Sequence, residues 1–142
     1  MRSTGGAVSV PSADTGMPVA VFLGGPDPRP VVVVGEPGFV VSGLRCTACA
    51  YPTATRVPWC PRCHGEMEKA ALGPGGEIWS ATVIRVPVPN RTSPYVIAYV
   101  DLDGGTRVLA HLPSAQGAPP VGSRVRLCAS ADNGDVQVEA LA

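Results

Sequence analysis

The chain has 142 residues, enough for one ordinary domain or two small ones, and 45% of them are apolar, so a buried core is attainable. Eleven basic and eleven acidic side chains give a formal net charge of zero. That balance argues against a nucleic-acid binder, which needs a basic excess to neutralise phosphates.

Residues 1–18 are rich in Ser, Gly, Thr and Ala without periodicity, which predicts a disordered tail. No apolar stretch follows Arg2, so a signal peptide is not expected. Residues 19–42 read as a β-hairpin extension. Val19–Leu23 is a short strand candidate, and Val31–Val34 and Phe39–Val41 flank a Gly35-Glu36-Pro37-Gly38 turn. These runs are too short to span a membrane. A cytoplasmic protein is expected, in a compartment that keeps thiols reduced.

Residues 43–70 carry the strongest signal. Cys46 and Cys49 are separated by two residues, as are Cys60 and Cys63, with ten residues between the pairs. Each pair can grip one side of a tetrahedral ion, so the spacing predicts a zinc ribbon with a structural Zn2+ on Cys46, Cys49, Cys60 and Cys63. Iron would use the same four thiolates in a redox protein, an alternative open at this point. Four thiolates leave no coordination position for water or substrate, so the site holds a fold together. A segment of about 20 residues cannot order itself, and zinc adds on the order of 10 kcal/mol. Gly65 is expected to supply a positive φ after the second pair, and Ala50 stands where glycine would be easier after the first. His64 is expected to face solvent. Cys128, between Leu127 and Ala129, reads as a small buried hydrophobe.

Residues 71–142 have a different texture. Gly73–Gly76 reads as a linker into the barrel, and the strand candidates are Glu77–Val86, Pro94–Leu102, Thr106–Leu112, Arg124–Ala129 and a last one starting at Val136. Ile78, Ile84 and Val86 are expected on one face of the first, and Trp79, Ala81 and Val83 on the other. Asp103-Gly104-Gly105 and Asp132-Asn133-Gly134 are turn signals. Five short strands without a helix predict an all-β chain: a ribbon followed by a five-stranded OB-fold barrel, with an SH3-like barrel giving a similar pattern.

No catalytic set is visible. The two histidines, His64 and His111, have no nucleophile near them in sequence, so a non-enzyme is expected. One surface stands out. If Val96, Ala98 and Val100 point inward, then Tyr95, Ile97 and Tyr99 point outward, beside Arg107, Leu109 and His111 on the next strand. A partly apolar outer wall of this kind marks a contact site. A second reading makes it a base-stacking platform for single-stranded nucleic acid, which the zero net charge disfavours.

Taken together, Leu44-Arg45-Cys46, Cys60-Pro61-Arg62-Cys63, the Gly76–Thr82 strand, Pro94–Leu102 and Val121–Val125 resemble a family that joins a rubredoxin-like zinc ribbon to an OB-fold. The family was long catalogued as a domain of unknown function. Its members associate with thiolase-fold or ketosynthase-fold enzymes. The resemblance implies a non-catalytic accessory subunit of a hetero-oligomeric acyltransferase complex, one that helps bind or channel acyl-CoA or an acyl carrier protein. It also implies that Cys46, Cys49, Cys60 and Cys63 are the zinc ligands. Relatives begin with an amphipathic helix, where this chain has Gly, Pro and Val.

Overall fold

The computed structural model describes residues 27–36 and 38–141. The expected tail over 1–18 and the strand candidate Val19–Leu23 lie outside the described residues. Those that are described contain nine strands and no helix: β1 (Val32–Val34), β2 (Phe39–Cys46), β3 (Pro52–Thr53), β4 (Met67–Leu72), β5 (Gly75–Ile84), β6 (Tyr95–Leu102), β7 (Thr106–His111), β8 (Arg124–Leu127) and β9 (Val138–Ala140).

Two antiparallel sheets result. In the first, β2 is the hub. It pairs with β4 along one edge, from Val41↔Leu72 to Cys46↔Met67, and along the other with β1 and then β3. The expected hairpin forms, but β2 runs on to Cys46 without a break, so hairpin and ribbon share a strand. β4 was not anticipated. Its sequence, Met-Glu-Lys-Ala-Ala-Leu, has no β-branched residue, and pairing with β2 makes it a strand despite that local preference.

The second sheet runs β7-β6-β5-β8-β9. A parallel bridge between His111 and Gln137 joins the two ends, with the His111 N–H donating to the Val136 carbonyl at 2.8 Å. The first barrel strand thus pairs with the second and fourth, and the third meets the fifth. That Greek-key closure is the OB-fold and not the SH3-like alternative. Gly104 and Gly105 both have positive φ, +102° and +100°, as the tight β6–β7 turn demands.

One register shift matters. The β5–β6 ladder slips between Ile78 and Ser80, leaving Trp79 as the extra residue of a bulge. The expected alternation along β5 is therefore corrected. Ala81 and Val83 turn to the core side with Ile78, Trp79 is pushed outward, and Val86 lies beyond the strand, exposed. On β6, Val96, Ala98 and Val100 point inward as expected.

The two sheets share one core. Val41 of β2 and Leu72 of β4 belong to the same buried cluster as Ile78, Val100, Val108, Val125 and Leu127 of the barrel. Among the described residues no charged or polar side chain is fully buried. Polar contacts reinforce the joint: Arg45 donates to the carbonyl of Ala50 (3.1 Å) and to that of Gly104 in the β6–β7 turn (2.9 Å). The Gly73–Gly76 segment is integral to the barrel and not a tether. Gly75 and Gly76 open β5 and pair with Arg126 and Val125, and the Gly73 N–H bonds the Asp103 carbonyl.

Candidate functional site

The ribbon's two cysteine turns are built alike. β2 delivers Cys46, and the chain then reverses, with the Ala50 N–H donating to the Cys46 carbonyl at 3.0 Å; His64 does the same to Cys60 at 2.8 Å. In each turn the residue after the second cysteine is left-handed: Ala50 at φ 65° and His64 at φ 65°. Neither is glycine, so each costs roughly 1 kcal/mol. The left-handed residue of the second turn is thus His64 and not Gly65, as the sequence had suggested. Gly65 is needed for a different reason: a Cβ there would lie 3.1 Å from Cys46 Sγ and 3.2 Å from Cys63 Sγ.

The four sulfurs lie within 4.8 Å of one another. Cys46 and Cys63 are 3.5 Å apart, and Cys49 and Cys60 3.6 Å. A tetrahedral ion with metal–sulfur bonds of about 2.3 Å sets neighbouring sulfurs about 3.8 Å apart, so the donor set fits such an ion. Cys46 and Cys60 are buried, Cys49 and Cys63 exposed. Each buried sulfur accepts two backbone N–H groups, Cys46 from Ala48 and Cys49, Cys60 from Arg62 and Cys63, at 3.3–3.5 Å. Hydrogen bonds of this type favour thiolate. The Cys49 N–H, helped by that of Ala48, brings the Cys46 thiol down to about 6 against the opposing effect of burial. His64 is exposed, with its ring edge-on to Trp59. Cys128 is half-buried. Burial, and then the charge of Glu139, push its thiol up, away from thiolate chemistry.

The outer wall spans β5, β6 and β7. Tyr99 and Leu109 face each other across the β6–β7 ladder and are exposed, with Ile97 and Tyr95 half-buried along β6. Trp79, which the sequence reading did not place here, joins them. The bulge sets its ring edge-on to Tyr99, with centroids 6.3 Å apart, and the Arg107 guanidinium lies over it at 3.8 Å. Arg107 is also paired with Asp101 at 2.6 Å, which holds the Asp101 carboxyl below its usual range. A groove of about 240 Å³ opens between Thr82, Ile97, Tyr99 and Leu109 over Ala81 and Ala98.

His111, opposite Ile97 on the β6–β7 ladder, and Tyr95 continue this face to the seam where the barrel closes. Their rings stack at 5.9 Å, and Arg91 lies over Tyr95 at 4.9 Å. Asp135 anchors the group, bonding Arg91 at 2.6 Å and Arg29 at 3.0 Å, with His111 Nε2 at 3.5 Å. Arg91 and Asp135 are far apart in sequence, and only barrel closure brings them together. The six predicted wall residues therefore lie on one outer face: Ile97, Tyr99, Arg107 and Leu109 make its apolar part with Trp79, and Tyr95 and His111, which is opposite Ile97, make its polar end at the seam.

Comparison with known families bears on the barrel first. Residues 69–130 match the family described as the C-terminal OB-fold domain of ChsH2. The barrel is similar to a ChsH2-type OB-fold. A solved structure described as the Ltp2-ChsH2(DUF35) aldolase contains a chain similar to this one. The two are 27% identical, the match covers 71% of this chain and 84% of that chain, and the TM-score is 0.61. A match of that extent reaches beyond the ChsH2-type barrel into the cysteine-bearing sheet. Among the described residues no helix is long and apolar enough to cross a membrane.

Proposed function

We propose that this chain is a non-catalytic accessory subunit of an enzyme complex, working beside a thiolase-fold or ketosynthase-fold partner that supplies the reacting groups. The observation that carries the reading is the likeness to a chain of the Ltp2-ChsH2(DUF35) aldolase. The residues agree with it. Four thiolates would close a metal shell, so in this reading the metal is a structural zinc that clamps the two cysteine turns together and does no chemistry. The strip of exposed Trp79, Tyr99 and Leu109 and half-buried Ile97, with Arg107 over the tryptophan, has the aromatic and arginine composition of an interface centre. In this reading the complex acts in the cytoplasm, and the barrel helps hold acyl-CoA or an acyl carrier at the partner's active site.

Co-expression with a genomically adjacent thiolase or ketosynthase tests the proposal. The two chains co-purify, acyl transfer by the partner depends on this chain, and Tyr99→Ala combined with Leu109→Ala weakens the complex. If no such neighbour co-purifies and its acyl transfer is indifferent to this chain, the proposal fails. Single-stranded nucleic acid is a poorer fit, because Asp101 already neutralises Arg107, the only base on the strip.

A further inference from the structure

The outer edge of β1 carries a contradiction between sequence and exposure. Val31–Val34 is an unbroken run of valine, bounded by Pro30 and Gly35. A short apolar run between turn residues reads as a fully buried strand. Yet Val31 is 59% exposed, Val33 41% and Val34 80%. Sheet edges are normally blunted by a charge, a proline or a bulge, and the run from Val31 to Val34 contains none of these.

The backbone gives the same picture. Bonded and non-bonded pairs alternate along an antiparallel ladder. The Ser42 N–H donates to the Val31 carbonyl, and the Gly35 N–H to the Gly38 carbonyl, both at 2.8 Å. Val33↔Val40 lies midway between these two pairs in the register, so Val33 bonds to β2. The N–H and carbonyl groups of Val32 and Val34 therefore point away from β2. Among the described residues nothing pairs with them.

The chain carries a matching segment close by. Val19-Ala20-Val21-Phe22-Leu23 is a second continuous apolar run, bounded by Pro18 and by Gly24-Gly25-Pro26. An extended strand of this sequence is apolar on both faces. So is β1: Val32 packs against the shared core, and Val31 and Val33 alternate to the other side. Residues 24–30 join the two runs, and neighbouring strands lie only about 4.8 Å apart, so an antiparallel return is within reach. The end of that connection is already fixed beside β1. Asp27 lines one groove of about 410 Å³ with Val31 and Ser42, and Arg29 is held by Asp27 and Asp135.

We propose that Val19–Leu23 docks on β1 as an added antiparallel strand, bonding the outward groups of Val32 and Val34 and covering the valine edge. A tethered segment is favoured over a second copy of the chain. A short tether sets an effective concentration in the millimolar range. Two β1 edges paired with each other would bury far less than the ~1,000 Å² of a stable interface. The inference concerns the metal sheet alone and does not depend on the accessory-subunit reading.

Amide hydrogen exchange on the full chain, followed residue by residue by NMR, tests the added strand. Val32 and Val34 exchange about a hundredfold or more slowly than unprotected amides, at a rate independent of protein concentration. Val21→Pro removes an N–H and breaks the added strand. Val32 and Val34 then lose their protection. Val33, bonded to β2, and Leu127, which donates to the Pro74 carbonyl, keep theirs and show that the fold survives. Val8→Pro, outside the run, leaves all four unchanged. Four results overturn the proposal: Val32 and Val34 unprotected in the full chain, protection that grows with protein concentration, protection that appears only when a partner enzyme is added, or protection indifferent to Val21→Pro.

Discussion

Leu72→Ala is the sharpest test of how the metal sheet and the barrel depend on each other. Leu72 ends β4 and is fully buried in the shared core. Its side chain lies between two backbone walls: a Cβ built on Gly43 of β2 would come within 2.7 Å of one of its methyl groups, and one on Gly104 of the β6–β7 turn within 3.3 Å of the other. Truncation removes three carbons, worth about 2.4 kcal/mol in transfer free energy at ~0.8 kcal/mol each. Backbone on two sides cannot collapse into the space as a side chain would, so a cavity contribution adds to this. The total falls in the upper half of the ~2.7–5 kcal/mol range for buried leucines, about 4 kcal/mol. For a domain stable by about 5–15 kcal/mol that is a large loss. Guanidinium unfolding reads it, and the chain holds one probe on each side: Trp59 beside the metal ligands and Trp79 on the barrel. In Trp59→Phe and Trp79→Phe backgrounds, both midpoints fall together by the same free energy. A loss below about 1 kcal/mol, or a shift seen by one tryptophan alone, refutes the shared core.

The remaining predictions follow from the same geometry. Cys60→Ser takes a buried ligand from the metal; metal content drops well below one per chain and the melting temperature falls, whereas full metal and an unchanged melting temperature contradict a structural metal site at Cys60. Gly65→Ala sets a methyl group against two ligand sulfurs 3.1–3.2 Å away, so a chelator competition shows weaker metal binding even though all four thiols remain. Arg45→Ala removes two charge-assisted hydrogen bonds that tie the first cysteine turn to the barrel and costs roughly 1–2 kcal/mol after allowance for partial exposure. Acid weakens the fold through the seam. Burial lowers the His111 pKa below 6.5, so its contribution is complete above that pH and is lost as pH falls toward the folded value. Burial would raise Asp135, but the Arg91 hydrogen bond, the His111 charge and Asn133 together take it below 3.8, so its share is present above that pH and goes as pH falls further. His111→Gln therefore flattens the melting-temperature decline between pH 7 and 5 and reduces the later one without abolishing it, because the Arg91 hydrogen bond still holds Asp135 down.

Much of the barrel was legible because strand alternation is a local signal. Val96, Ala98 and Val100 on β6 and Val108 and Ala110 on β7 repeat with period two, and one buried face makes that period visible. Gly104-Gly105 and Asp132-Asn133-Gly134 marked their turns for an equally local reason, the φ each backbone position requires. On β5 the reading failed, since a bulge adds one residue and reverses every side chain beyond it. Trp79 was therefore assigned to the wrong company, and its place on the wall was missed. β4 was missed because nothing within Met67–Leu72 favours a strand; the partner does. Arg91 and Asp135 meet across 44 positions of sequence, beyond the reach of any local pattern.

The sequence by itself determined the donor set. Two Cys-x2-Cys pairs can meet round one ion because two residues between ligands fit a single reverse turn, wherever the rest of the chain goes. It also determined the period and number of the barrel strands. The tertiary structure alone decided which surfaces these elements present: that Leu72 joins sheet and barrel in one core, that a bulge sends Trp79 outward to Tyr99 and Arg107, and that the valines of β1 stand at an edge of the metal sheet. Spacing along the chain fixes local geometry, but contacts between distant segments depend on how strands pair and on which faces are then left without a partner.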